Sequence, residues 1–128
     1  MAAKLIWIGL GGFVGAALRY LVSGWAQALS GSVSFPFGTL AVNALGCFVI
    51  GALSYLADVR GMIGPDTRLF LVVGLLGGFT TFSAFGNETM NLLRDGQELQ
   101  AFLNAGVSLL LCLVAVWAGR ALAIAIWR

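Results

Sequence analysis

The 128-residue chain has no histidine, two prolines, two cysteines and only 9% charged residues. Without histidine it lacks the commonest transition-metal ligand and the side chain that titrates nearest neutral pH. Cys47 and Cys112 have no CxxC neighbour, which argues against a disulfide framework or a zinc site, so both read as small apolar side chains. A net charge of +2 is too small to suggest nucleic acid as a partner. No GxxxxGK[ST] loop is present, so ATP hydrolysis is not indicated and no nucleotide is expected. What the chain has in quantity is apolar side chains, 60% of all residues. A soluble domain carries about 25% charged residues, so this composition belongs to a membrane protein.

Four apolar stretches can be drawn, roughly 4–29, 36–57, 67–94 and 99–127. Each reaches the ~20 residues that a helix needs to cross the hydrocarbon core. The connections are short, so residues 1–128 read as a single membrane domain whose function must lie among the helices. The start resembles a signal peptide, but Gly9, Gly11, Gly12 and Gly15 interrupt its apolar run and Arg19 follows, so it is expected to be retained as the first transmembrane helix. An even number of spans puts both termini on one side, with Lys4, Arg60, Arg68, Arg120 and Arg128 against Arg94 and Arg19 opposite. That bias by itself places the termini in the cytoplasm. Gly11 and Gly15, Gly12 and Ala16, and Gly74 and Gly78 stand four apart, a spacing that lets helix backbones approach closely. Packing within one bundle accounts for part of this pattern, and a homo-oligomer accounts for the rest. The second span lacks the pattern, because Val42 stands between Gly38 and Gly46.

The third span carries Gly77-Gly78-Phe79-Thr80-Thr81-Phe82-Ser83-Ala84-Phe85 at its centre. At about 1.5 Å per residue this span runs to roughly 42 Å, against a hydrocarbon core of about 30 Å. A break at the glycines and threonines absorbs the excess. Broken helix survives at membrane depth only where protein or a water-filled path satisfies its backbone, and such breaks mark places where ions or substrates are held. Free carbonyls of the first half suit a cation, free N–H groups of the second half suit an anion, and Thr80 or Thr81 can cap the second half. Thr39, Asn43 and Cys47 share one face of the second helix, and Asn104, Ser108 and Cys112 share one face of the fourth. On polarity alone Asn43 is either interhelical glue or an ion contact. Phe82 and Phe85 share a helix face beside the break, where a ring's positive edge can favour an anion; ordinary core or lipid-facing phenylalanine is the plainer reading. Glu88, nearly one turn further, is either a proton-relay carboxylate or a residue at a pore mouth.

Three stretches, Gly11 to Tyr20, Pro36 to Gly46 and Gly74 to Glu88, closely resemble the Fluc (CrcB-type) family of microbial fluoride channels. The fourth helix matches only in character. The resemblance implies an all-α protein of four transmembrane helices with a broken third helix, in the bacterial cytoplasmic (inner) membrane. It further implies an antiparallel, dual-topology homodimer with two pores, contrary to the basic-residue bias. It places a structural sodium ion at the dimer centre on backbone carbonyls, with Gly77 and Thr80 the best candidates by position. Asn43, Phe82 and Phe85 would line the fluoride path, with Ser83, Thr39 and Ser108 as polar lining and Arg19 near an aqueous vestibule. The implied function is passive, selective export of fluoride across the lipid bilayer, with no enzymatic step. The rival is a small proton-coupled multidrug exporter, which needs a membrane-embedded carboxylate; here only Glu88 lies well within a span. A non-transporting scaffold subunit is a weaker rival, since the central break argues against it.

Overall fold

Residues in helical conformation account for nearly the whole chain, and the computed structural model describes Met1–Arg128. Helix α1 spans Ala2–Ser30 and stops at Gly31, whose left-handed φ of 65° lets its N–H reach back to the Ala28 carbonyl. Helix α2 (Phe37–Ser54) continues as a wider π-helical segment over Tyr55–Val59. Pro36 sits at the N-cap of α2. The third span opens with α3 (Pro65–Arg68), loosens into π-helix over Leu69–Leu76, and tightens again as α4 (Gly77–Phe79). Thr80 (φ −89°, ψ 159°) and Thr81 (φ −153°, ψ 120°) are extended, and α5 then runs from Phe82 to Arg94. A turn with Gly96 at φ 73° leads into α6 (Glu98–Ile126). Four helical segments, Ala2–Ser30, Phe37–Val59, Pro65–Arg94 and Glu98–Ile126, are long and apolar enough to cross a membrane.

Helix α1 packs chiefly on the first half of the third span, α2 packs chiefly on α6, and α5 rests on α6. Glycine decides how close these helices come. A Cβ at Gly11 would strike the Phe70 carbonyl, one at Gly15 the Leu75 carbonyl, one at Gly74 the Ile8 carbonyl and one at Gly78 the Gly12 carbonyl. The small-residue stripe that suggests an oligomer is therefore used inside the protomer, and it carries no argument for a second copy. The second span also uses glycine, against the expectation from Val42. Gly38 lies against the Ser23 carbonyl, Gly46 against the Thr80 methyl, and Gly51 against the Val116 carbonyl, while Gly119 of α6 lies against the Phe48 carbonyl. The spacing was not four, so the pattern escaped a search for regular repeats.

The interior is thin. Only 18 of 128 residues are buried, and long apolar side chains cover the outside. In water such a surface would aggregate, whereas against lipid tails it costs nothing. Side chains close the loop between α1 and α2, where Ser30 Oγ accepts the Ser32 N–H and Ser32 Oγ the Phe35 N–H. Gln27 donates from Nε2 to the carbonyls of Ser32 (2.8 Å) and Phe35 (3.0 Å), and its Oε1 accepts the Gly38 N–H (2.9 Å). That satisfies one orphan donor at the start of α2 and fixes the turn between the first two spans.

Candidate functional site

The extended pair Thr80-Thr81 withdraws backbone groups from the helical ladder, and each has to find another partner or remain open. Thr80 keeps to the first half: its N–H and its Oγ1 both donate to the Leu76 carbonyl, each at 2.9 Å. Thr81 turns to α2. Its N–H donates to Asn43 Oδ1 (2.8 Å), and its carbonyl accepts from Asn43 Nδ2 (3.0 Å). One amide side chain thus pairs with both polar groups of one residue, as a neighbouring strand would. Thr81 also caps α5, its Oγ1 accepting the Ala84 N–H at 3.1 Å. Of the two threonines that could cap the second half, Thr81 does so.

Further polar side chains form one hydrogen-bonded pair and one chain. Thr39 Oγ1 donates to Glu88 Oε1 at 2.7 Å, and Glu88 Oε2 is buried without a partner. On the other side, Ser108 Oγ donates to Asn104 Oδ1 (3.3 Å), Asn104 Nδ2 to Thr89 Oγ1 (2.9 Å), and Thr89 Oγ1 to the Phe85 carbonyl (2.7 Å). Asn104 is only 1% exposed, so its amide acts between helices. Thr89 had no signal in the sequence, since a lone threonine in a helix commonly bonds to the carbonyl four residues back.

A groove of about 630 Å³ opens along the seam between α2, the third span and α6. Asn43, Phe82, Phe85, Ser108, Gly77 and Thr80 all line it. Thr39, Ser83, Glu88 and Arg19 do not. Thr39 and Glu88 pair one turn away along α2, Ser83 is exposed with its Oγ 3.3 Å from Thr81 Oγ1, and Arg19 is half-buried on α1. The rings of Phe82 and Phe85 stand 5.4 Å apart with their planes tilted by 46°, so neither stacks over the other. Phe82 is 84% exposed. The hydroxyl hydrogens of Thr80 and Ser108 are committed to protein acceptors. Asn43 has two N–H bonds and uses one on Thr81, which leaves one amide hydrogen for an occupant of the groove.

The profile of a family described as "CrcB-like protein, Camphor Resistance (CrcB)" matches residues 6–120, which takes in all four spans. The chain belongs to the CrcB family. Among curated relatives, the "Fluoride-specific ion channel FluC 3" of Methanosarcina barkeri is 38% identical over 122 residues, covering 95% of this chain and 91% of its own. The "Fluoride-specific ion channel FluC" of Methylocella silvestris is 42% identical over 123 residues, 94% of this chain and 93% of its own. That of Geobacter sulfurreducens is 49% identical over 108 residues, 84% and 86% of the two chains. These CrcB relatives are ion channels and not enzymes, and the four apolar helices make the present CrcB chain an integral, multi-pass membrane protein.

Proposed function

We propose that the chain is a passive, fluoride-selective channel that lets cytoplasmic fluoride leave the cell through the bacterial inner membrane. The observation that carries this reading is the reciprocal pair of Asn43 with Thr81, which braces an amide beside Phe82 and Phe85 and leaves one N–H uncommitted. Membership of a family whose relatives are named fluoride-specific channels supplies the ion.

The chemistry suits a small, strongly hydrated anion. To enter, fluoride exchanges water for the uncommitted Asn43 N–H and the positive edges of Phe82 and Phe85; the hydroxyls of Thr39 and Ser108 would join only by giving up Glu88 and Asn104. The N-terminal end of α5 adds a fixed partial positive charge at the same level. No lysine or arginine lines the groove; a full charge there would hold the ion too tightly for release. Arg19 belongs to a vestibule and Glu88 to a pore mouth in this reading. Conduction needs no chemical step, because fluoride entering from acidic surroundings as neutral HF ionises inside and leaves down its gradient.

The working unit is an antiparallel, dual-topology homodimer with two pores. The groove face, with Gly77 and Phe82 exposed, is the face a second copy would cover. A structural sodium ion at the centre fits this chain's donors. No group of three or more His, Cys, Asp or Glu side chains is placed to hold a metal, so a hard cation would have to rely on carbonyl oxygens. The Thr81 N–H, which would continue the ladder to the Gly77 carbonyl, goes to Asn43, and Thr80 is extended, so the helical ladder claims neither the Gly77 carbonyl nor that of Thr80. The ion would balance the partial negative charge of these helix ends.

The drug–proton exchanger gains no support: Glu88 is tied to Thr39, and the relatives are named as ion channels. The test is fluoride efflux from liposomes holding the purified protein, read with a fluoride electrode beside a chloride control. Fast fluoride release without chloride release, in the absence of an imposed proton gradient, is expected. No release from folded protein would sink the reading.

A further inference from the structure

Cys47 of α2 and Cys112 of α6 are the only cysteines in the chain, and both are free thiols. The register of the two helices brings them together. Gly51 lies against Val116 and Arg120 stacks over the Tyr55 ring at 5.7 Å, and the same alignment one turn earlier sets Cys47 opposite Cys112. The thiols are close neighbours, and both line the groove that holds Asn43, Phe82 and Ser108. The two helices cannot spread apart without undoing the backbone contacts at Gly51 and Gly119, so the spacing between the sulfurs is held from below.

We propose that Cys47 and Cys112 form a two-thiolate site for a soft divalent d10 cation, and that its occupancy closes the conduction groove. Soft thiolates select soft metals, and ions such as Hg²⁺ accept two sulfurs in a linear arrangement. Charge favours the divalent ion. Each S–H bond breaks, each proton leaves to water through the open groove, and two S–metal bonds form with no change of oxidation state. The product is neutral, so it avoids the cost of holding net charge among apolar walls. Hard cations such as sodium gain nothing from these ligands. The closing of the groove rests on the channel reading above; the binding site does not.

The experiment uses reduced, metal-free protein in liposomes, titrated with mercuric ion against a competing monothiol. Binding is read from sulfur-to-mercury charge-transfer absorbance and flux from a fluoride electrode. Wild-type protein is expected to take up one cation per protomer. C47S and C112S should each lose at least about 100-fold in affinity, because the second thiol acts at high effective concentration. C47A and C112A should repeat that loss, and size-exclusion profiles check the fold of each. One equivalent of cation should lower wild-type flux at least about tenfold, as a filled path requires, and a dithiol chelator should restore it. Single variants that bind within about threefold of wild type would overturn the site, since the thiols would then be acting separately. Loading with unchanged flux would overturn its closing role. Absence of flux before any metal is added would overturn the channel reading and leave the absorbance result standing.

Discussion

Asn43 is the residue on which the site's geometry turns, because it satisfies both the N–H and the carbonyl of Thr81. Asn43→Ala leaves two backbone groups without partners at membrane depth. Expected is a loss of roughly 2 kcal/mol of stability together with loss of fluoride flux, measured by unfolding in mixed micelles and by liposome efflux. Asn43→Asp keeps the acceptor for the Thr81 N–H but sets an oxygen against the Thr81 carbonyl and removes the spare amide hydrogen. Its flux should fall further than its stability, and normal flux in a demonstrably ionised variant would return Asn43 to packing alone. Phe82 provides the opposite case. It is almost wholly exposed in the protomer, so Phe82→Ile should change protomer stability by no more than about 0.5 kcal/mol. The ring edge is lost while bulk is partly kept, and flux should drop by about tenfold or more if the ring favours the anion. Unchanged flux in Phe82→Ile and Phe85→Ile alike would remove the aromatic part of the mechanism.

At the scale of the element, glycine positions separate into those that set helix spacing and those that do not. Gly15→Ala would drive a methyl into the Leu75 carbonyl and should destabilise the bundle by about 1–3 kcal/mol. Gly9→Ala meets nothing within 4 Å and should leave stability unchanged or raised by up to about 1 kcal/mol; thermal unfolding of the pair distinguishes contact from composition. Thr81→Ala removes the cap on α5 and should cost about 1 kcal/mol, with Thr81→Ser restoring most of it. Much of this level was legible in the sequence. Span positions followed from hydropathy to within a few residues, because each stretch is bounded by charge, glycine or proline. The Gly-Gly-Phe-Thr-Thr run marked where the third span leaves regular helix, since Thr80 and Thr81 are the residues that turn extended. What stayed hidden needed three dimensions. Whether Gly11 and Gly15 meet a neighbour in the same chain or in another copy cannot be read from spacing, nor can the meeting of Thr39 with Glu88 or of Asn104 with Thr89. The π-helical stretches left no mark, because a shift from one backbone hydrogen-bond partner to the next changes no residue type.

For the whole molecule, the decisive question is what covers the groove face. Gly77 is exposed, and a Cβ there would meet no protein atom closer than 4.0 Å within the protomer. Gly77→Phe should therefore fold as a protomer while failing to form the proposed dimer, seen as monomer mass by light scattering with flux abolished; a dimer of normal mass would move the interface elsewhere. The partnership of α2 with α6 has a further consequence, which concerns how the protein is made. Ribosomes deliver α2 well before α6, so for the time it takes to synthesise the third span, the glycine notches of α2 have no α6 to receive. The hairpin of α1 and α2 is already tied by Gln27, and Asn43 can engage Thr81 once the third span arrives. Thr89 must still wait for Asn104 of α6. Each nascent chain thus passes through a three-helix stage in which Thr89 lacks Asn104 and Gly51 of α2 lacks the α6 backbone it packs against.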